Sequence, residues 1–352
     1  MERQFFRTLA LDTGFAPTQP SRQKEIDMNH SATPERDNTS KPLAQGRALR
    51  LHAYGGTDSL KVDTVHAPEP GPDQVLVQVK AAGINGMDWK VREGYLRERF
   101  NLVLPATLGI EMTGVVLRVG SNVKDVSVGE RVMAALGGLG AYADHLVINA
   151  EKLIKTPANL SDIDAAAVPV AAMTAWQVLQ VAEFDLRGKR VLIHGAAGGV
   201  GSFAVQFAKA AGATVYATAS TKSVAHVQAL GADEVIDYLK QKFELVASNI
   251  DLVVDLVGGP VVDKSWAILS HNGILVSIAA TDVVARAPEG RRGVWFSVKP
   301  DTARLATIAQ QVADGSLRSV IAEVVAFEDL AEAIERNRTG HAPGKTVADF
   351  TR

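Results

Sequence analysis

The segment that most restricts how this chain can fold is a strand running straight into glycines. Val191-Leu192-Ile193-His194 is followed directly by Gly195-Ala196-Ala197-Gly198-Gly199-Val200-Gly201, and a helical pattern follows at 203–211. Ala196, Gly198 and Gly201 stand at the spacing of a dinucleotide-binding turn, with alanine in place of the first glycine. The physics asks for small residues there. The backbone must turn tightly, a pyrophosphate must approach without meeting a Cβ, and the helix must lie close to the strand. The helix N-terminus then offers unpaired N–H groups and a partial positive charge to phosphates. Glycines also crowd ordinary turns, so the strand before and the helix after are the context that matters. Ala197, Gly198, Gly199, Val200 and Gly201 are the first candidate cofactor contacts.

Downstream of about Ser161, short apolar or β-branched runs alternate with helical patterns. Strands are expected at 191–194, 214–219, 234–238, 251–256 and 274–278, and helices at 203–211, 223–230 and 262–269. Such alternation specifies a parallel sheet covered on both faces. From about Arg47 to Thr156, strands punctuated by Gly and Pro dominate instead. Val75, Val77 and Val79 alternate with Gln74, Gln78 and Lys80, the period of a half-buried strand. This part reads as a mostly antiparallel β domain. A helix at 302–314 and strands at 320–326 and 345–350 follow.

Residues 12–47, most of the expected tail 1–46, are rich in Thr, Ser, Pro, Asn, Gln and charge, without a period. They bury too little to offset ordering entropy, and a disordered tail is expected. Met28 offers an alternative start, and Glu2, Asp12 and Glu25 have the wrong sign for an organelle transit peptide. The 352 residues carry 37 Lys+Arg against 39 Asp+Glu and no cysteine. That balance leaves no electrostatic footprint for nucleic acid or a membrane surface. No run approaches the roughly 18 apolar residues of a bilayer span. Lack of cysteine excludes disulfides, thiolate nucleophiles, Fe–S clusters and Cys-built zinc sites.

The end of the second parallel strand selects the dinucleotide. An NAD site places Asp or Glu about 20 residues past the glycines, accepting from the ribose hydroxyls. Here the chain reads Ala217-Thr218-Ala219-Ser220-Thr221-Lys222, and no acid occurs between Gly195 and Asp233. A carboxylate would repel a 2′-phosphate, whereas the Ser220 hydroxyl and the Lys222 ammonium would bind it. NADPH is the expected cofactor.

From about Arg47 to Phe350 the chain resembles the medium-chain dehydrogenase/reductase superfamily, in its zinc-free quinone-oxidoreductase branch. The resemblance is carried by Ala82–Trp89, Leu108–Val116, Gly140–Asp144, Val168–Trp176, the glycine turn, Gly231–Tyr238 and Gly344–Val347, in that order. It implies an α/β fold: a Rossmann doubly wound parallel sheet inserted in a GroES-like, mostly antiparallel β domain. The implied boundaries are 47–157 for the first part of the substrate domain, 158–300 for the NADPH-binding domain and 301–352 for the return. The resemblance places Asn85, Lys90 and Tyr95 on the substrate side. Lys90 stands where many relatives have tyrosine. By resemblance Thr174 lies near the nicotinamide, Tyr238 near the 2′-phosphate, and Phe296 and Val298 near the carboxamide.

Zinc-dependent relatives use a Gly-His-Glu segment. Here it reads Gly109-Ile110-Glu111, and no two histidines stand at i, i+4. No metal is expected, and Glu111 is expected in a local ion pair or hydrogen bond. The expected activity is NADPH-dependent reduction of a small quinone, enone or related carbonyl by a cytoplasmic enzyme. Alternatives are a cofactor-binding regulatory protein with little turnover and an alcohol dehydrogenase-type carbonyl reductase. The apolar run Gly293–Val298 reads as an edge strand needing a cover, which favours a homodimer.

Overall fold

The computed structural model describes residues 45–352 apart from His341. The expected disordered tail therefore lies outside the described residues except for its last two. Gln45 and Gly46 open the strand Gln45–Leu51.

The parallel sheet is built as its strand sequences require. Across it run Glu234–Asp237, Thr214–Ala219, Arg190–His194, Ile250–Asp255, Leu269–Ser277 and Arg292–Trp295, every neighbouring pair parallel. In chain order these are the third, second, first, fourth, fifth and sixth strands, so the order reverses between the first and the fourth. A crevice opens outside the carboxyl ends at such a reversal. The continuous apolar run of the first strand follows from burial on both faces. Val191 and Ile193 pack into one core cluster and Leu192 into another on the opposite side, all fully buried.

The second sheet takes strands from both ends of the chain. Ile321–Ala326, Lys345–Asp349, Gln74–Gly83, Glu111–Val119, Arg131–Ala135 and Ile154–Lys155 lie side by side, with His145–Asn149 also paired to Gln74–Gly83. Apart from the parallel pair Ile321–Ala326 and Lys345–Asp349, the pairings are antiparallel. Gln74–Gly83 departs from simple alternation: Leu76, on the polar face by count, is fully buried with Val75 and Val77. Gln45–Leu51 forms a separate small sheet with Leu60–His66 and Ala106–Thr107.

The helix Thr302–Ala313 buries Leu305, Ile308 and Ala309 in the cluster of the parallel sheet, as does Leu317. Val325 and Phe327 belong to the cluster of the antiparallel sheet. The core thus changes hands between 317 and 325 rather than at 301. No helix among the described residues is long and apolar enough to cross a membrane.

Candidate functional site

The glycine turn joins Arg190–His194 to the helix Gly199–Ala210. Gly195 takes φ +73°, which a Cβ would strain. A Cβ on Gly201 would drive into the Gly195 carbonyl and lie 2.7 Å from Ala196 Cα. Glycine there lets the helix close onto the turn. Gly198 differs: only the Gly195 carbonyl oxygen lies near its missing Cβ, at 3.5 Å. Gly198 is the N-cap, and no side chain caps the helix. The first-turn N–H groups have no partner four residues back and carry the positive end of the dipole, on a turn that is half-buried at 197–200. These residues fit a dinucleotide pyrophosphate, with Ala197 and Val200 in the same turn.

At the expected ribose end, Ser220 is half-buried and directly follows the strand Thr214–Ala219, with its Oγ 3.5 Å from Ser223 Oγ. Lys222 is exposed, with no ion pair among the described residues. Tyr238 is 44 % exposed beside them. The strand pairing Ala219 to Asp237 also brings an acid that sequence distance had hidden. Asp237 accepts from Thr221 Oγ1 at 2.6 Å and from Leu239 N at 3.1 Å, and pairs with Lys240 at 3.3 Å. The Thr221 hydroxyl leads in holding its carboxyl below the ordinary range. Its charge is engaged locally rather than presented to a ligand.

Where the two sheets meet, five side chains form a buried network. Pairing of Val347 with Gly83 sets Lys345 beside the end of Gln74–Gly83. Lys345 Nζ lies 2.6 Å from Glu111 Oε1 and donates to Asn85 Oδ1 at 2.5 Å. Asn85 Nδ2 donates to Glu111 Oε1 at 2.8 Å and to Gly83 O at 3.1 Å. The other oxygen of Glu111 accepts from Val170 N at 2.6 Å, at the start of the helix Pro169–Gln180. Glu111 is thus ion-paired as expected, but with a residue from the far end of the chain. Asn85 also starts the helix Gly86–Arg92, and its N–H donates to Asp88 Oδ2 at 2.7 Å. The Tyr142 hydroxyl donates to the same oxygen at 2.6 Å. Asp88 Oδ1 has no partner. Burial outweighs the two hydrogen bonds and pushes the Asp88 carboxyl up to about 6; burial also raises the Tyr142 hydroxyl well above its ordinary value. Gly198 forms a parallel bridge with Gly344, so the loop leading to Lys345 touches the glycine turn.

The resemblance places Asn85 on the substrate side. Both ends of its amide are already bonded within the protein. Asp88, Tyr142 and Lys345 were missed as members of a site. Their only signal was their place in the motif stretches 82–89, 140–144 and 344–347.

Beside this network lies a cavity of about 310 Å³, lined on its apolar side by Met87, Phe100, Ile110, Val170, Met173 and Val298. The expected substrate-side residues separate here. Lys90 is not among the residues lining the cavity; it lies one turn from Met87 on the same helix, half-buried, and among the described residues its side chain meets only the Trp89 ring, 5.6 Å away. Burial lowers its pKa. Tyr95 does not line the cavity: it is 70 % exposed, its ring edge-on to Trp89 at 6.0 Å. Thr174 is buried and donates to Val170 O at 2.6 Å, leaving its oxygen able to accept. Phe296 and Val298 are half-buried; the Phe296 N–H continues the sheet to Ser277 O at 2.9 Å. The Asp255 carboxylate fixes the Gly258 turn at the same edge, accepting from Gly258 N at 2.8 Å.

A zinc ion does not fit these residues. Ile110 stands where a histidine ligand would be, both Glu111 oxygens are bonded, and the described residues include no cluster of three His, Asp or Glu. His194, the histidine nearest the turn, is buried between Thr218 Oγ1 at 3.2 Å and Ser265 Oγ at 3.0 Å. It is a core histidine.

Comparison with known proteins agrees with this architecture. Residues 71–158 match the family described as alcohol dehydrogenase GroES-like domain, and 230–347 the family described as zinc-binding dehydrogenase. The chain is 35 % identical over 307 residues to the NADPH-dependent alkenal/one oxidoreductase, chloroplastic, of Arabidopsis thaliana, covering 84 % of this chain and 77 % of the relative. It is 34 % identical over 283 residues to the 2-haloacrylate reductase of a Burkholderia species, covering 76 % and 85 %. The solved quinone oxidoreductase of Coxiella burnetii superposes with a TM-score of 0.83 at 33 % identity, over 87 % of this chain and 100 % of that one. With its parallel sheet set against a GroES-like sheet and its glycine turn shaped for a nicotinamide dinucleotide, the chain belongs to the medium-chain dehydrogenase/reductase superfamily, among the quinone and alkenal oxidoreductases.

Proposed function

We propose that the protein is an NADPH-dependent, zinc-independent oxidoreductase that reduces a small quinone, enone or related carbonyl. The observation that carries this reading is the helix N-terminus at Gly198, which no side chain caps and where only the Gly195 carbonyl oxygen lies near the missing Cβ, in a chain that also has an apolar-walled cavity. Residues 197–201 would hold the pyrophosphate. Ser220, Lys222 and Tyr238 would hold the 2′-phosphate, and Thr174, Phe296 and Val298 the nicotinamide end. When bound, the reduced nicotinamide supplies a hydride.

The protein's own groups then have three tasks. Met87, Ile110, Met173 and Val298 exclude water and seat a flat, electron-poor molecule. Lys90, half-buried, without a counter-ion and one helix turn from the cavity residue Met87, would reach in to meet charge developing on a carbonyl oxygen. Its lowered pKa also makes it a better proton donor. Asn85, Glu111 and Lys345 hold the start of the Lys90 helix against the glycine turn.

The proposed division is 47–157 with the C-terminal return for substrate and the intervening parallel sheet for cofactor, with the return placed after Leu317. Cytoplasmic localisation is part of the proposal and is checked by cell fractionation. NADPH oxidation is expected with para-quinones, ortho-quinones or alkenals, and silence across that panel overturns the activity. Lys90→Met should lower kcat about 10²-fold or more. Ser220→Asp should shift preference toward NADH by about 1–3 kcal/mol, through repulsion of the 2′-phosphate and loss of a charge-assisted contact. An unchanged cofactor preference would remove Ser220 from the site.

A further inference from the structure

The cavity's charge is lopsided. Arg99, Lys152 and Lys299 line it, opposed by one carboxylate, Asp301. That carboxylate is engaged at the helix Thr302–Ala313, where it caps the N-terminus and accepts from Arg304 N at 2.9 Å. The three cations are positioned by neutral partners. Arg99 Nη2 donates to Ser297 Oγ at 3.1 Å, and Lys152 Nζ donates to Leu136 O at 3.0 Å. Lys299 is held through its backbone, its N–H and carbonyl both bonded to the Gln177 amide, at 3.0 and 2.8 Å. None of the three is ion-paired with a described residue.

Cofactor phosphates do not account for them, because no residue between 195 and 223 lines the cavity. Like charges gathered against a low-dielectric apolar wall repel one another and focus a positive potential. A bound anion would relieve that repulsion.

We propose that this cavity selects electron-poor alkenes bearing a carboxylate, the carboxylate held by Arg99, Lys152 and Lys299 while the reducible bond lies on the apolar wall. The inference rests on the reading that this cavity takes the reducible substrate. In such a reaction the alkene gains a hydride from the reduced cofactor and a proton, giving the saturated acid and the oxidised cofactor.

The test compares β-acetylacrylate with its neutral methyl ester. Binding is measured by calorimetry in the presence of oxidised cofactor, and turnover by oxidation of the reduced cofactor. The acid should bind about tenfold or more tighter than the ester at low ionic strength, and the gap should narrow with salt. Arg99→Gln with Lys299→Gln, both exposed positions, should bring the acid-to-ester ratio toward one. Equal binding of acid and ester, or a ratio untouched by the substitutions, overturns the inference even if the ester is reduced. Preferred binding of the acid with no cofactor oxidation by either compound overturns the assignment of this cavity to a reducible alkene and leaves only a carboxylate-binding site, while the oxidoreductase reading is decided separately by the quinone and alkenal panel.

Discussion

Gly198 and Gly201 serve one turn and are glycines for different reasons. At Gly201 a Cβ collides with backbone, whereas Gly198 has room for one and an ordinary φ of −75°. Gly201→Ala should therefore cost about 2–4 kcal/mol in denaturant unfolding. Gly198→Ala should stay within about 1 kcal/mol of the parent yet weaken cofactor binding about tenfold, read by calorimetry. Equal stability losses would mean that both positions are purely structural. Two buried titratable groups give a second contrast. Asp88 rises on folding from 3.8 to about 6 because burial disfavours its charge. Its contribution is greatest below pH 4 and is lost as pH rises through 6, by about 3 kcal/mol. Burial presses His194 from 6.5 down to about 4. Its contribution is full above pH 6.5 and lost as pH falls toward 4, by a similar amount, about 3 kcal/mol. The two nearly cancel between pH 4 and 6. Asp88→Asn should expose the His194 slope, so that urea unfolding shows stability falling more steeply with acidification than in the parent. Parallel profiles would mean that Asp88 titrates normally.

Among the elements, the helix Gly86–Arg92 shows how a locally weak signal becomes structure. It is a short helix started by Asn85 and Asp88, with Lys90 and Arg92 in its last turn. Its first turn is anchored by Lys345, which is 260 residues from Asn85 in sequence. The Lys345–Glu111 pair is almost fully buried, so removing one partner strands a charge. Glu111→Gln or Lys345→Met alone should cost about 3–5 kcal/mol. The double substitution should cost clearly less than their sum, and a double-mutant cycle in urea measures the difference. Additive losses would show that the two groups act independently. The parallel strands were the most legible elements because burial on both faces leaves a continuous apolar run. Asp237 was not legible as a neighbour of Ser220, because strand pairing rather than sequence distance sets that contact.

For the whole molecule, the open question is the sheet edge. Arg292–Trp295 pairs on one side with Leu269–Ser277, and Trp295 is 42 % exposed. Among the described residues nothing pairs with its other side. An unpaired edge carrying an exposed tryptophan is an aggregation liability unless covered, and a twofold copy would extend the sheet. The homodimer is thus a proposal with a direct check. The parent should run as a dimer in light scattering and Trp295→Lys should shift it toward monomer; a monomeric parent ends the idea.

By itself the sequence determined the class of fold, the glycine turn between strand and helix, the lack of thiolate chemistry and the division into two textures. Each depends on short-range physics: side-chain period, the sterics of a glycine turn, and the presence or absence of a residue type. Only the tertiary structure decided that Asn85 is bonded inside the protein, that Tyr95 faces outward, and that Asp88, Tyr142, Glu111 and Lys345 meet. It also decided that three cations share one apolar cavity. Those facts arise where strands from opposite ends of the chain pair in one sheet, and no local pattern encodes which distant side chains that pairing will bring within hydrogen-bonding reach.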